Sequence, residues 1–273
     1  MSHQPEPLHR MDDVDRAADP RQYINYLDQA SASESMRLLK QRSFALMGAR
    51  AGSHLLDAGC GVGDDVRALA QLAGPAGRVV GVDSSEAMIA EARRRSDGSQ
   101  LPVEFYARSI YHLDFADHTF DAARAERVFM HLSEPAAALA ELWRVVKPGG
   151  YLVVVDPDWE TLVVDSSDRR VTRKLWQFAV DGVVNGWIGR QLVGLFKQQG
   201  LTEIGVEPVN LTSTNLEGAN RAWGFRMHAA RAVSDGVVSA DEAEHWLSDL
   251  EARDRSGRFF GALSGFMVRG RKV

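Results

Sequence analysis

The run Leu55-Leu56-Asp57-Ala58-Gly59-Cys60-Gly61-Val62-Gly63-Asp64-Asp65 constrains this chain more than any other stretch. An apolar strand meets glycines at alternate positions and then opens a helix. Glycine accepts backbone angles that other residues resist and lets a ligand press against main chain. The helix start offers unpaired N–H groups to a carboxylate or phosphate. Further on, Arg78-Val79-Val80-Gly81-Val82-Asp83-Ser84 reads as a second strand ending in an acid. A carboxylate at the end of the second strand of a doubly wound sheet is placed to bind ribose hydroxyls. Together the two signals predict a nucleoside-containing cofactor held across strand ends.

The glycine spacing narrows the choice of cofactor. Dinucleotide sites use G-x-G-x-x-G. Counted from Gly59 the third position is Asp64, and from Gly61 it is Val66. The missing glycine argues against the rival reading, an NAD-dependent oxidoreductase, and an acid there would repel a pyrophosphate. A zwitterionic amino-acid tail suits the bend better, with its ammonium on Asp57 and its carboxylate on main-chain N–H groups.

On these residues the chain resembles the class I S-adenosylmethionine-dependent methyltransferases. LLDAGCGVGDD is similar to their first motif and VVGVDSS to their second. Phe120-Asp121 through Glu126-Arg127-Val128-Phe129-Met130-His131-Leu132 is similar to the fourth-strand motif, and Arg144 through Val155 to the entry into strand five. The resemblance is strongest over residues 50–160, and its closest flavour is the type 11 small-molecule branch, which resembles the ubiquinone and menaquinone biosynthesis methyltransferases. It implies an α/β, Rossmann-like, seven-stranded doubly wound sheet, mostly parallel with an antiparallel last strand. It also implies S-adenosyl-L-methionine as cofactor, S-adenosyl-L-homocysteine as product, and in-line methyl transfer to an O, N or C nucleophile of a small molecule such as a secondary metabolite or quinone. A cofactor-binding protein that does not methylate, such as a cyclase or partner subunit, fits the same motifs, which report binding more than turnover.

Composition narrows the partners. The 273 residues are enough for one large α/β domain with an appendage. A formal charge of −5 supplies no positive field to draw the chain to nucleic acid. One cysteine excludes an internal disulfide framework and fits a reducing compartment. No signal peptide or membrane span is legible. The expectation is a cytoplasmic monomer or homodimer acting on a small molecule.

Along the chain, residues 1–20 read as a disordered tail and 21–48 as a helical lid over the cofactor mouth. The cofactor-binding domain is expected over 49–211 and 255–273, with a helical cap over 212–254. Strands are predicted at 54–58, 78–82, 103–107, 121–126 and 150–156, and helices at 64–73, 85–95 and 135–146. Residues 168–199 read as helical, interrupted by Gly182, Gly186 and Gly189, and Leu201–Val209 as strand six. Helices follow at 215–234 and 239–252, then a last strand at Phe259–Arg271. In the resembled family the last two strands form a close hairpin. Here an insertion separates them that is far longer than a usual hairpin loop, and it is expected to shape the substrate pocket.

The motifs nominate the site. Asp57, Gly59, Gly61 and Gly63 are expected at the methionine end of the cofactor, with Cys60 packing beside them. Asp83 is expected to hold both ribose hydroxyls, with Ser84 assisting or capping the next helix and Met88 covering adenine or simply lying in the core. Ser109 stands where the family commonly carries an adenine-binding aspartate, and Ile110 offers a backbone N–H. The resemblance places Ala125 and Glu126 beneath the cofactor's sulfur, with the Glu126 carbonyl toward its amino group, and Arg127 and His131 follow. His131 is the candidate general base or a packed histidine. Asp156 and Asp158 could orient a substrate, or bind a divalent ion with Glu126, although no metal is expected. Tyr23, Tyr26, Trp159 and Trp187 either wall the acceptor pocket or belong to the core.

Overall fold

Side chains alternate across each strand of a parallel sheet, so one apolar run must satisfy two helical layers. The computed structural model, which describes residues 11–16, 19–31 and 34–273, shows that arrangement. A 3-10 turn at Met11–Arg16 precedes α1 (Arg21–Ser31) and α2 (Glu34–Leu46). Then β1 (His54–Ala58), α3 (Asp64–Ala73), β2 (Arg78–Asp83), α4 (Glu86–Ser96) and β3 (Val103–Ala107) follow the expected βαβ rhythm. After β4 (Phe120–Glu126) come α5 (Pro135–Val145) and β5 (Val146–Pro157). Leu56, Val80, Ala123 and Leu152 face α5, while Leu55, Val79, Ala122 and Val153 face α2, α3 and α4. The Pro148-Gly149-Gly150 turn survives as an irregularity within β5, where the register against β4 shifts between Phe120 and Ala122.

After β5 the short β6 (Val163–Val164) leads into α6 (Arg169–Asp181) and α7 (Ile188–Gln198). The predicted helix over 168–199 is thus two helices. Between them Asn185 donates its backbone N–H to Met130 O at 3.0 Å and its side-chain amide to Phe129 O at 3.2 Å, which pulls the chain out of the helical path. The chain continues through β7 (Thr202–Ser213), α8 (Leu216–Trp223), α9 (Phe225–Ser234), α10 (Ala240–Arg255) and β8 (Gly261–Arg271).

The sheet order is β3-β2-β1-β4-β5-β8, and β8 runs antiparallel to both β5 and β7. The two-residue β6 pairs with Gly261 and Ala262, so the sheet has eight strands rather than seven. Despite the insertion, β7 and β8 pair along their whole length, from Thr202 opposite Arg271 to Ser213 opposite Gly261. The inserted helices share an apolar cluster with α6, centred on Phe225 and Trp246, whose rings meet edge to face at 5.9 Å. α6 thus packs with α8, α9 and α10 in one apolar cluster, although it precedes β7 in the chain. Residues 1–10 and 17–18 of the expected tail lie outside the described residues. Among the described residues, no helix is long and apolar enough to cross a membrane.

Candidate active site

The glycine bend is tied to β2 by main chain. Gly59 and Cys60 N–H both donate to Val82 O, at 2.7 and 2.9 Å. Gly59 has φ +76°, and a Cβ there would lie 2.3 Å from a Val128 methyl. Gly61 N–H donates to Asp83 Oδ2 at 2.9 Å, and Ser85 N–H to Asp83 Oδ1 at 2.9 Å. Two backbone donors therefore aim the Asp83 carboxylate before any ligand arrives. Burial nevertheless raises its pKa, against the pull of those bonds. Ser85, rather than Ser84, caps α4, accepting from Met88 N–H at 3.1 Å.

Over the carboxyl ends of the strands lies a cavity of about 1100 Å³. This is slightly above the ordinary range for one small-molecule ligand, so it has room for a cofactor and an acceptor. Asp83, Ser84, Met88, Ser109 and Ile110 line it at one end, and Asp57, Gly59, Cys60 and Gly61 line the bend. Glu126, Arg127, His131, Asp156 and Trp159 carry the wall toward the cap, which contributes Trp223 and His228. Tyr26 lines it from α1. The half-buried Asp83 carboxylate, a bend that only glycine fits at Gly59, and Met88 beside them line one continuous wall. Burial and then Asp83 push the Cys60 thiol well above its ordinary range, which leaves it a packing residue.

Four nominated residues lie off this wall. A Cβ on Gly63 would meet Phe105 at 2.5 Å, so this glycine admits an aromatic ring from β3 rather than a ligand. Tyr23 is buried against Val14, Val62 and Met88. Asp158 is buried and held by Arg190, with one contact at 2.6 Å, so the divalent-ion alternative loses a ligand. Trp187 is 48% exposed and stacks under Arg190 at 4.9 Å.

The structure adds charges that the motifs did not nominate. Arg124, in the middle of β4 and 1% exposed, places Nη1 2.9 Å from Asp57 and 3.0 Å from Asp65. It also holds Glu126, and its Nε donates to Ser43 Oγ at 2.9 Å. Lys40 from α2 reaches Asp65 at 2.7 Å and stands 4.0 Å from Glu126. Burial raises the Asp57 pKa despite Arg124, whereas at Asp65 the effect of burial is outweighed by Arg124 and Lys40, which lower it. The available signal was an arginine inside a buried strand, which has to be paired. Asp15 was also missed. From the N-terminal turn it accepts from Ser85 Oγ at 2.5 Å and from Glu86 N–H at 2.8 Å, which latches that turn to the start of α4.

Beyond Glu126 the wall turns toward the cap. Asp156 accepts from Phe129 N–H at 3.2 Å and Met130 N–H at 3.1 Å, fixing the short 3-10 turn that carries His131. Burial pushes the Asp156 carboxyl up to about 8. Arg127 adopts φ +56° and is held there by its N–H, which donates to Val155 O at 2.8 Å.

A family profile described as a methyltransferase domain matches residues 56–154. The chain is 38% identical over 247 residues to an uncharacterized 37.1 kDa protein in transposon TN4556 of Streptomyces fradiae, covering 90% of this chain and 70% of that protein. It is 34% identical over 131 residues to the demethylmenaquinone methyltransferase of Staphylococcus aureus, covering 48% of this chain and 54% of that enzyme. It thus spans about half the length of that relative. Among solved structures, the cyclase SpnF superposes with a TM-score of 0.53 at 22% identity, over 86% of this chain and 79% of SpnF, a likeness of fold.

Proposed function

Since this chain belongs to the class I S-adenosylmethionine-dependent methyltransferases, we propose that it methylates an O, N or C nucleophile of a small, largely apolar molecule seated between the strand ends and the cap. The observation that carries this reading is the Asp83 carboxylate, oriented by Gly61 and Ser85 at the edge of a cavity large enough for two ligands. S-adenosyl-L-methionine, when bound, supplies a methyl group activated by its sulfonium sulfur. Asp83 would hold the ribose hydroxyls. The buried group of Lys40, Asp57, Asp65, Arg124 and Glu126 would meet the amino-acid end, whose ammonium and carboxylate need charges of both signs.

Glu126 is already engaged by Arg124. His131 lines the cavity and takes the proton when the acceptor is an alcohol or phenol. Asp156 positions the turn that carries it. A neutral amine acceptor needs no base. The first two helices and the inserted helices line the chamber, and their closing over bound ligands would exclude water and strengthen the charge interactions inside it.

Incubating the protein with methyl-labelled cofactor and a metabolite extract tests the reading, with binding of S-adenosylhomocysteine measured alongside. Label in a small product supports methyl transfer. Tight binding with no transfer favours the non-methylating alternative, which the likeness to a cyclase keeps in view. Failure to bind S-adenosylhomocysteine overturns both.

A further inference from the structure

Residues 1–20 read as a disordered tail in the sequence, yet part of that stretch forms a wall of the chamber. The 3-10 turn at Met11–Arg16 carries Val14, which is 3% exposed and packs with Tyr23, Val62 and Met88. Val14 and Met88 line the same cavity as Asp83. An apolar side chain from the tail therefore stands at the end of the chamber where the nucleoside belongs.

One residue holds the turn there. Asp15 accepts from Ser85 Oγ at 2.5 Å, from Glu86 N–H at 2.8 Å and from Ala87 N–H at 3.1 Å. These groups open α4, and the free N–H groups and positive dipole end of a helix start favour a carboxylate. Burial would raise the Asp15 pKa, but the three bonds outweigh it and lower it, so the carboxylate is charged at neutral pH. Ser85 serves both sides of this arrangement. Its hydroxyl donates to Asp15, while its N–H donates to Asp83 Oδ1 at 2.9 Å. The residue that aims the ribose-binding carboxylate thus also holds the turn.

A second contact fastens the next helix to the other end of α4. Asp28 on α1 pairs with Arg95 in the last turn of α4, at 2.7 and 2.9 Å. One residue before Asp28, Leu27 lies over the glycine bend, where a Cβ on Gly61 would come within 3.1 Å of a Leu27 methyl.

We propose that Asp15 is a positioning residue for the cofactor, which clasps the N-terminal turn across the nucleoside end of the chamber and so sets how long the nucleoside stays bound. The proposal rests on the methyltransferase reading above and adds to it a control of release. With the clasp closed, Val14 and Met88 wall the nucleoside and Ser85 keeps Asp83 aimed at the ribose. Opening it withdraws Val14 from the wall and frees the Ser85 hydroxyl. S-adenosylhomocysteine carries the same nucleoside, so the clasp acts on product release, a step that limits many enzymes.

The test follows dissociation of two ligands from the full-length protein in chase experiments. One is S-adenosylhomocysteine; the other is methylthioadenosine, which keeps the nucleoside and lacks the amino-acid end. Asp15→Ala should raise the off-rate of both by the same factor, roughly fivefold, as loss of a helix-capping carboxylate implies. Asp15→Asn, whose amide oxygen can still accept from α4, should raise it by about twofold. Added salt should quicken release from the wild type more than from Asp15→Ala, because the clasp is a charge near the surface. Amide exchange over residues 11–16 should slow when S-adenosylhomocysteine binds the wild type, and not when it binds Asp15→Ala. A cap that served only to stabilise α4 would not link the turn to the ligand in this way. Wild-type off-rates in Asp15→Ala overturn the proposal. So does faster release of S-adenosylhomocysteine alone, which places the effect at the amino-acid end. Should Asp15→Ala not fold, wild-type off-rates in Asp15→Asn overturn it equally. A wild type that binds neither ligand would instead overturn the underlying methyltransferase reading.

Discussion

Asp57 and Arg124 sit directly opposite one another on β1 and β4, with Arg124 Nη1 2.9 Å from Asp57 Oδ1 and both side chains out of reach of water. Arg124 also serves Asp65 and Glu126, so one guanidinium compensates three carboxylates. Removing one partner of a buried ion pair leaves the others uncompensated. Arg124→Met should lower the unfolding free energy by roughly 3–5 kcal/mol in urea titrations. Adding Asp57→Asn should recover part of the loss, because the two sites are coupled. A drop below about 1 kcal/mol would contradict the network.

Asp83→Asn tests the ribose contact with little disturbance to the loop, because the amide oxygen can still accept from Gly61. Replacing a charged acceptor of two hydroxyls should weaken S-adenosylhomocysteine binding by roughly 30-fold or more in calorimetry. An unchanged dissociation constant would mean that the cofactor lies elsewhere.

Asp156 makes stability depend on pH. Its carboxyl is raised from an ordinary 3.8 to about 8 in the folded chain, by burial above all. Between those values the native state holds a proton that the unfolded chain has released, so raising the pH favours unfolding. From about pH 5 to 8 the wild type should lose stability relative to Asp156→Asn by about 1.4 kcal/mol per pH unit at most, and the difference should level off above 8. Parallel denaturation curves across that range would refute the shift.

Gly59 faces a hard limit, since φ +76° and a Val128 methyl 2.3 Å from the position of a Cβ both oppose any side chain. Gly59→Ala should destabilise the fold by about 1–3 kcal/mol. Adding Val128→Ala should relieve the contact and leave the backbone strain, so it recovers only part of the melting temperature. Full recovery would show that the glycine is there for space alone.

What was legible in the sequence was local. Apolar runs alternate along β1, β2 and β4, and glycine marks the bends, so the sheet and most helix limits follow from neighbours in the chain. Placement on the cavity wall was legible wherever a residue sits at or just inside its strand end, as at Asp57, Asp83 and Glu126. The nominated residues that lie off that wall answer to distant partners. Gly63 answers to Phe105, Asp158 and Trp187 both answer to Arg190, and Tyr23 answers to Met88. Arg124 was hidden within an alanine-rich strand because Lys40 and Asp65, which share its charge network, come from two other elements.

Ser213 and Gly261 face each other across the β7–β8 ladder, so residues 214–260 leave the sheet and rejoin it at one point. The entropy of closing such an excursion grows slowly with its length. Its loops can change in length while the ladder beneath stays paired, whereas its helices must keep an apolar face for α6. The outer wall of the chamber can thus vary together with α6 while the glycine bend and Asp83, at the far side of the sheet, keep their geometry.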